Sequence, residues 1–191
     1  MRRIVGYQVN HPDGLEGEAG QAYTYVLASN GIWVRAESEL LAVQIPMTLK
    51  PHEGAGVRGL APLIPMVELR HGPIPHYIRE AMLAVMRALS FQEHFFAVTW
   101  DGGYHLHYPK QAATSGSVHY AAVQGAALHV HSHGTLSAFF SATDDRDEQG
   151  LAIYGVYGRW DTLAPEAAFR VGVYGHFCEV GEGVIWNEGG S

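Results

Sequence analysis

Cysteine is all but absent from this sequence: Cys178 is the only one in 191 residues. That excludes a disulfide framework and any structural zinc site built on several thiolates. The neighbours of Cys178 are apolar and strand-like, so a buried thiol is expected, and with it residence in the cytoplasm rather than secretion. Long apolar runs are absent too. No uninterrupted stretch approaches the length of a membrane span, and behind Met1-Arg2-Arg3 only a few apolar residues precede Gln8 and Asn10, which argues against a signal peptide. Positive charge is sparse, since 12 Lys and Arg stand against 19 Asp and Glu for a formal net charge of −7. Phosphate backbones need clustered cations, and these are scattered, so a protein partner is expected and nucleic acid is not.

What is present is ordinary globular material. Hydrophobic residues make up 47% of the chain, enough at this length for one domain, or one domain with a small appendage, to bury a core without covalent staples. Residues 1–71 read as a β-rich N-terminal region. Ala22–Ala28 and Ile32–Ala36 flank Ser29-Asn30-Gly31, a hairpin signal, and Leu40–Ile45 is a third candidate strand. The Gly- and Pro-rich stretches from His11 to Gly20 and from Pro51 to Gly56 read as loops, which makes His11, His52 and His71 loop histidines. The proline-rich stretch from Pro62 to Pro75 suits a linker or an edge strand.

From residue 72 to 191 the elements alternate. Pro75 opens a helix whose apolar stripe is Ile78, Met82, Val85 and Leu89, and Met82 and Met86 are packing residues. A strand over Ser90–Trp100 follows, with Glu93 near its start and His94 on the opposite strand face. Gly102-Gly103 turns into Tyr104–Tyr108, whose His105 and His107 have no carboxylate at a matching distance and read as a polar strand face. After a small, polar loop over Lys110–Gln124, Ala126–Val130 is a strand running into His131 and His133. Acidic Asp144–Glu148 opens a short helix or turn. Strands follow over Leu151–Tyr157 and Ala168–Tyr174, the last continuing towards Phe177-Cys178, and Asn187–Ser191 is a frayed end.

The chemistry concentrates between His131 and Asp144. If the strand before it includes both His131 and His133, alternation puts the two imidazoles on one face, where they can converge on one ion. Asp144 would add an oxygen, giving three protein ligands and an open fourth position, the arrangement of catalytic rather than structural zinc. Each part also has a plainer reading. His-x-His is common on the polar face of a strand in a chain with 12 histidines. Ser141-Ala142-Thr143-Asp144 equally fits a helix N-terminus, with Ser141 or Thr143 as its cap. The two readings of Asp144 are compatible, because a ligand at a helix start is held in place.

Together, His-x-His, a ten-residue gap, Asp, and a Ser three residues before that Asp resemble the signature of the JAMM (JAB1/MPN-plus) zinc isopeptidase family. Starting instead from His129 and His131 would put Ala142 where the family has its aspartate. The resemblance implies one zinc held by His131, His133 and Asp144, with Ser141 stabilising the oxyanion. Glu93, placed after a helix near a strand start, would be the general base. On Glu93 alone, an exposed charge at a strand start would be the simpler reading. It also implies a JAB/MPN-like mixed β-sheet flanked by helices over residues 72–191, hence an α/β (α+β) class with an N-terminal β-rich extension. Many members have proline after the second histidine, where this chain has Gly134.

Within the family the chain is most similar to the prokaryotic JAB branch, and its added N-terminal region resembles the A proteins of plasmid-borne PRTRC systems. Those are encoded beside ubiquitin-like, E1-like and E2-like proteins. The implied activity is hydrolysis after the C-terminal glycine of a ubiquitin-like protein or its conjugates. The alternatives are a non-catalytic MPN-type interaction module and a DNA-associated RadC-like branch, the latter disfavoured by the acidic charge. No long second insertion follows Asp144, unlike the eukaryotic members that use one to grip ubiquitin.

Overall fold

Short runs rich in apolar residues and bounded by turns produce strands, and most of these assemble into two six-stranded sheets. The computed structural model describes residues 3–47, 56–109, 111–113, 118–120 and 123–187. The first sheet comprises β1 (Val5–His11), β2 (Gly14–Glu18), β3 (Tyr23–Ala28), β4 (Gly31–Glu37), β5 (Leu41–Pro46) and β6 (Met66–Leu69), in the order β2-β1-β3-β4-β5-β6. Only β1 and β3 run parallel. After this sheet come α1 (His76–Ala88), β7 (Phe95–Trp100) and β8 (Tyr104–His107). A small pair, β9 (Gln111–Ala113) and β10 (Val118–Tyr120), precedes β11 (Ala126–Ser132), α2 (Ala142–Asp147), β12 (Leu151–Gly158), β13 (Glu166–Val173) and β14 (His176–Glu179). The second sheet has the order β14-β13-β12-β11-β7-β8. It is mixed, since β11 and β12 are parallel and the other neighbours antiparallel.

One core joins the sheets. Val34, Ile45 and Leu69 of the first, Ile78, Met82 and Met86 of α1, and Phe96, Leu128, Ile153 and Val171 of the second belong to a single buried cluster. Near the end of the chain, Ile185 and Trp186 enter the same cluster. The Ile74 N–H donates to Ile185 O at 2.7 Å and the Asn187 N–H to Ile74 O at 2.9 Å. The class is therefore mixed α/β and dominated by strands. Because Leu128 and Val130 face α1 while His129 and His131 alternate away from it, each face of the second sheet is distinct. The α1 face is apolar; the other carries the histidines.

Several expectations need correction. The helical stripe is Ile78, Met82 and Met86, one residue from each successive turn; Val85 is only partly buried and Leu89, the C-cap, is exposed. The strand expected over Ser90–Trp100 begins at Phe95, because the chain first turns back, with Gln92 N–H donating to Leu89 O at 3.1 Å. Glu93 thus lies in a lead-in loop. The stretch between His11 and Gly20 contains β2, a glycine-containing edge strand exposed throughout, and His11 ends β1 with Nε2 at 3.1 Å from Glu16. Phe177-Cys178 is not a continuation of β13, for Tyr174 (φ 49°) and Gly175 (φ 89°) form a tight turn and send the chain back as β14. The Cys178 thiol is half-buried rather than buried.

The hairpin expected at Ser29-Asn30-Gly31 is present, with Ala28 opposite Gly31. Its asparagine acts differently from the usual Asn-Gly turn. Asn30 accepts from the Leu63 N–H and the Trp33 indole and donates to Leu63 O, tying the segment after residue 56 to the sheet. His71 lies in a turn, as expected, stacked on Trp100 with ring centroids 4.1 Å apart. His52 and residues 188–191 lie outside the described residues, as does part of the loop at 110–124. Among the described residues no helix is long and apolar enough to cross a membrane.

The corrected stripe is directly testable by urea unfolding. Met82→Ala is expected to cost about 2–5 kcal/mol, the range for a buried methionine. Leu89→Ala, on the exposed cap, should cost less than about 0.5 kcal/mol.

Candidate metal centre

The site begins with the end of β11. His131 lies in the middle of the sheet, opposite Phe95 of β7 and Val156 of β12. The strand assignment stops at Ser132, yet the ladder continues one residue further, since His133 N–H donates to Tyr157 O at 2.8 Å. Ser132 is tied on the other side: its N–H donates to His94 O at 2.9 Å and its hydroxyl accepts from His94 N–H at 3.0 Å. With the backbone extended through three residues, His131 and His133 keep to one face. Their Nε2 atoms are 3.1 Å apart.

The tautomer of His133 follows from its other nitrogen. Nδ1 lies 3.2 Å from the carbonyl oxygen of Ser137. A carbonyl only accepts, so Nδ1 carries the proton and Nε2 presents its lone pair to the cluster. That is the orientation a metal-binding imidazole needs.

Asp144 arrives from the other side on α2, a six-residue helix. Ser141 is the N-cap, and its hydroxyl oxygen accepts from the N–H groups of Thr143 at 3.2 Å and Asp144 at 3.3 Å. In return Ser141 N–H donates to Asp144 Oδ2 at 2.6 Å, completing a capping box. One carboxylate oxygen is thus used to start the helix. The other, Oδ1, faces His131 Nε2 at 3.5 Å. The capping and ligand readings of Asp144 hold together.

His131, His133 and Asp144 form a group whose ligand atoms lie within 4.8 Å of one another, close enough to hold one metal ion. Burial lowers the His131 pKa to about 4, opposed by the Asp144 charge and helped by His133 and Arg170. Burial pushes Asp144 upwards, but the His131 charge and the Ser141 hydrogen bonds outweigh it and leave its carboxyl below the ordinary value. At neutral pH the pair is therefore a carboxylate and a neutral imidazole, the protonation states a metal requires. Two nitrogens and one oxygen suit a borderline cation with an open coordination position.

Glu93 is buried and stays outside this ligand group. Burial raises its pKa, with the His133 charge opposing and the Asp144 charge adding to the rise. The two hydrogen bonds between His94 and Ser132 bring the loop that carries Glu93 alongside the end of β11. The Ser141 hydroxyl accepts two N–H groups, and its own hydrogen bond is among the causes that lower the Asp144 pKa. The second His-x-His is not brought in: His107 Nε2 lies 2.7 Å from Thr99 Oγ1, and His105, exposed, is 3.4 Å from Asp101 O.

Two residues of consequence are missed in the sequence: His94 reads there only as a neighbour on the opposite strand face, and Arg170 carries no reading. His94 is buried with Nδ1 2.9 Å from Tyr108 Oη and Nε2 3.0 Å from Leu89 O, so it fixes the loop that carries Glu93. Arg170 of β13 is buried beneath α2 and bonded to it. A charge between Phe169 and Val171, in the apolar run over residues 167–173, was the available signal. No protein-family model matches the chain, and no curated protein matches it in sequence.

Gly134 explains a departure noted in the sequence. Its φ is 57°, and an added Cβ would sit 3.2 Å from Ser90 O. Proline holds φ near about −65°. Gly134→Pro is therefore expected to break the turn after His133 and to lower zinc affinity, measured by isothermal titration, at least about tenfold; unchanged affinity would separate the turn from the site. A pH prediction comes from His129, which stacks on Tyr154 and which burial holds at about 4 against an ordinary 6.5. Its neutral form is favoured by folding, so this contribution is complete above 6.5 and is lost as pH falls through about 4. His129→Phe should flatten the acid limb of the stability curve in that window, read from urea midpoints at successive pH values.

Proposed function

We propose that the chain is a zinc-dependent peptidase or isopeptidase of the JAMM type, of the prokaryotic JAB branch, cleaving after the C-terminal glycine of a ubiquitin-like protein. The observation that carries this reading is the convergence of His131, His133 and Asp144 on one point, with Glu93, buried and outside the ligand group, on the loop that His94 ties to Ser132. A scaffold has no need of a partial metal shell with a second, buried carboxyl on the adjoining loop.

Zinc, when bound, supplies Lewis acidity, lowering the pKa of water towards about 7 and polarising the scissile carbonyl. The chain's residues would do the rest. Glu93 accepts the proton of the attacking water and returns it to the leaving amine, a task helped by a carboxyl pKa above the ordinary value. The Ser141 O–H donates to the developing oxyanion. Tyr157 O and Ser137 O hold His133 at backbone and ring, so the site needs little reorganisation. The second sheet and its two helices would then be a JAB/MPN-like domain over residues 72–191. The first sheet would be the extension of the PRTRC A-protein type. The partners would be a ubiquitin-like protein with its E1-like and E2-like enzymes.

The test uses a ubiquitin-like protein carrying a C-terminal extension after its terminal glycine. Cleavage at that glycine is expected, abolished by a chelator and restored by zinc. Glu93→Gln should reduce the rate at least about a hundredfold while zinc remains bound. Full turnover in Glu93→Gln removes the base from the mechanism, and zinc-loaded protein that cuts no such substrate contradicts the peptidase assignment.

A further inference from the structure

We infer that Arg170 is a positioning residue for the metal centre: from β13 it holds α2 in place, and thereby sets the distance of Asp144 from His131 and His133. This rests on the metal-binding reading of those three residues, and it concerns what keeps them together.

The reason a positioning residue is needed lies in α2 itself. None of its six residues is buried, so the helix has no apolar face to anchor it. A helix this short does not persist on propensity alone. Its attachments are polar. The capping box orders the first turn, and Arg170 holds the remainder. Arg170 Nη1 donates to Asp145 Oδ1 at 2.6 Å. Nε and Nη2 both donate to Glu148 Oε2, at 2.9 and 2.7 Å. Asp145 follows Asp144 directly and Glu148 is the C-cap, so the guanidinium grips the helix along the turn that follows the ligand.

The guanidinium is also fixed from above and below. Its central carbon lies 4.0 Å from the centroid of Phe140 and 3.8 Å from that of Phe177. Phe140 precedes Ser141, the cap, so the same cation holds the approach to α2 as well as its length. Arg170 is 7% exposed. A planar fork stacked between two rings is a geometry that lysine cannot reproduce. Glu148 shows how much rests on the pair: burial raises its pKa to about 7, and Arg170 is the group that opposes the rise. Without Arg170, α2 loses the hydrogen bonds at Asp145 and Glu148 that tie it to β13, and with no buried residue of its own it is free to shift, carrying Asp144 with it.

The experiment is a cobalt(II) titration of the full chain, read by visible absorption, whose bands report ligand number and geometry, with zinc competition giving affinity. The variants are Arg170→Lys, Arg170→Met and Asp145→Ala. The Asp145 side chain is 53% exposed, so its removal tests the grip even where loss of Arg170 prevents folding. Arg170→Lys and Asp145→Ala are expected to weaken binding about 10- to 100-fold and to alter the cobalt bands, with circular dichroism unchanged. A purely structural Arg170 would lower the melting temperature of the metal-free protein but leave the cobalt spectrum and affinity of folded variants as in the wild type. Affinities within about threefold of wild type, with the same spectrum, overturn the inference. A wild-type chain that takes up no cobalt or zinc overturns the metal-centre reading beneath it instead.

Discussion

Everything at the candidate site depends on where the ladder of β11 stops. Two side chains at i and i+2 share a face only while the backbone between them stays extended, and at the end of a strand nothing in the strand itself guarantees that. Here the extension is enforced from both neighbours. His94 takes and gives a hydrogen bond at Ser132, and Tyr157 accepts from His133. Immediately afterwards Gly134, at φ 57°, turns the chain away. One residue less of ladder would leave His133 without its direction, and one more would carry the turn past the site.

The second half of the site is built on the opposite principle. The histidines rest on a sheet whose other face is buried in the core, so their position is inherited from apolar packing. Asp144 comes from a helix with no buried residue, and its position is inherited from hydrogen bonds and charge. A group assembled from one rigid wall and one polar arm can be tuned at the arm without disturbing the fold. The carboxylate itself reflects the division, one oxygen used by the Ser141 backbone and the other turned to His131.

Much of this was legible in the residues. Short apolar runs located β3, β4, β5, β7, β11, β12 and the body of β13, because each buries one face or both, as in the almost wholly buried β12. The spacing from His131 to Asp144 pointed to the three residues that the fold brings together. What failed to show did so for physical reasons. The edge strand β2, Gly14–Glu18, buries nothing and leaves no pattern. The Tyr174-Gly175 turn has no Asn or Asp to announce it, so β13 and β14 read as one strand. The helical stripe was right at Ile78 and Met82 and off at its end, since Val85 and Met86 are both apolar and only packing against the sheets decides which is further inside. Arg170 and His94 act through partners far away in sequence, such as Glu148 and Ser132, and no local motif encodes such pairs.

The central claim is that His131, His133 and Asp144 hold one metal ion. It is tested most directly by elemental analysis of the purified chain beside His131→Ala and Asp144→Ala. The account predicts about one zinc per chain in the wild type, as three protein ligands with an open position imply, and loss of it in both variants. No zinc in the wild type after supplementation at neutral pH, or equal zinc in all three proteins, would contradict it.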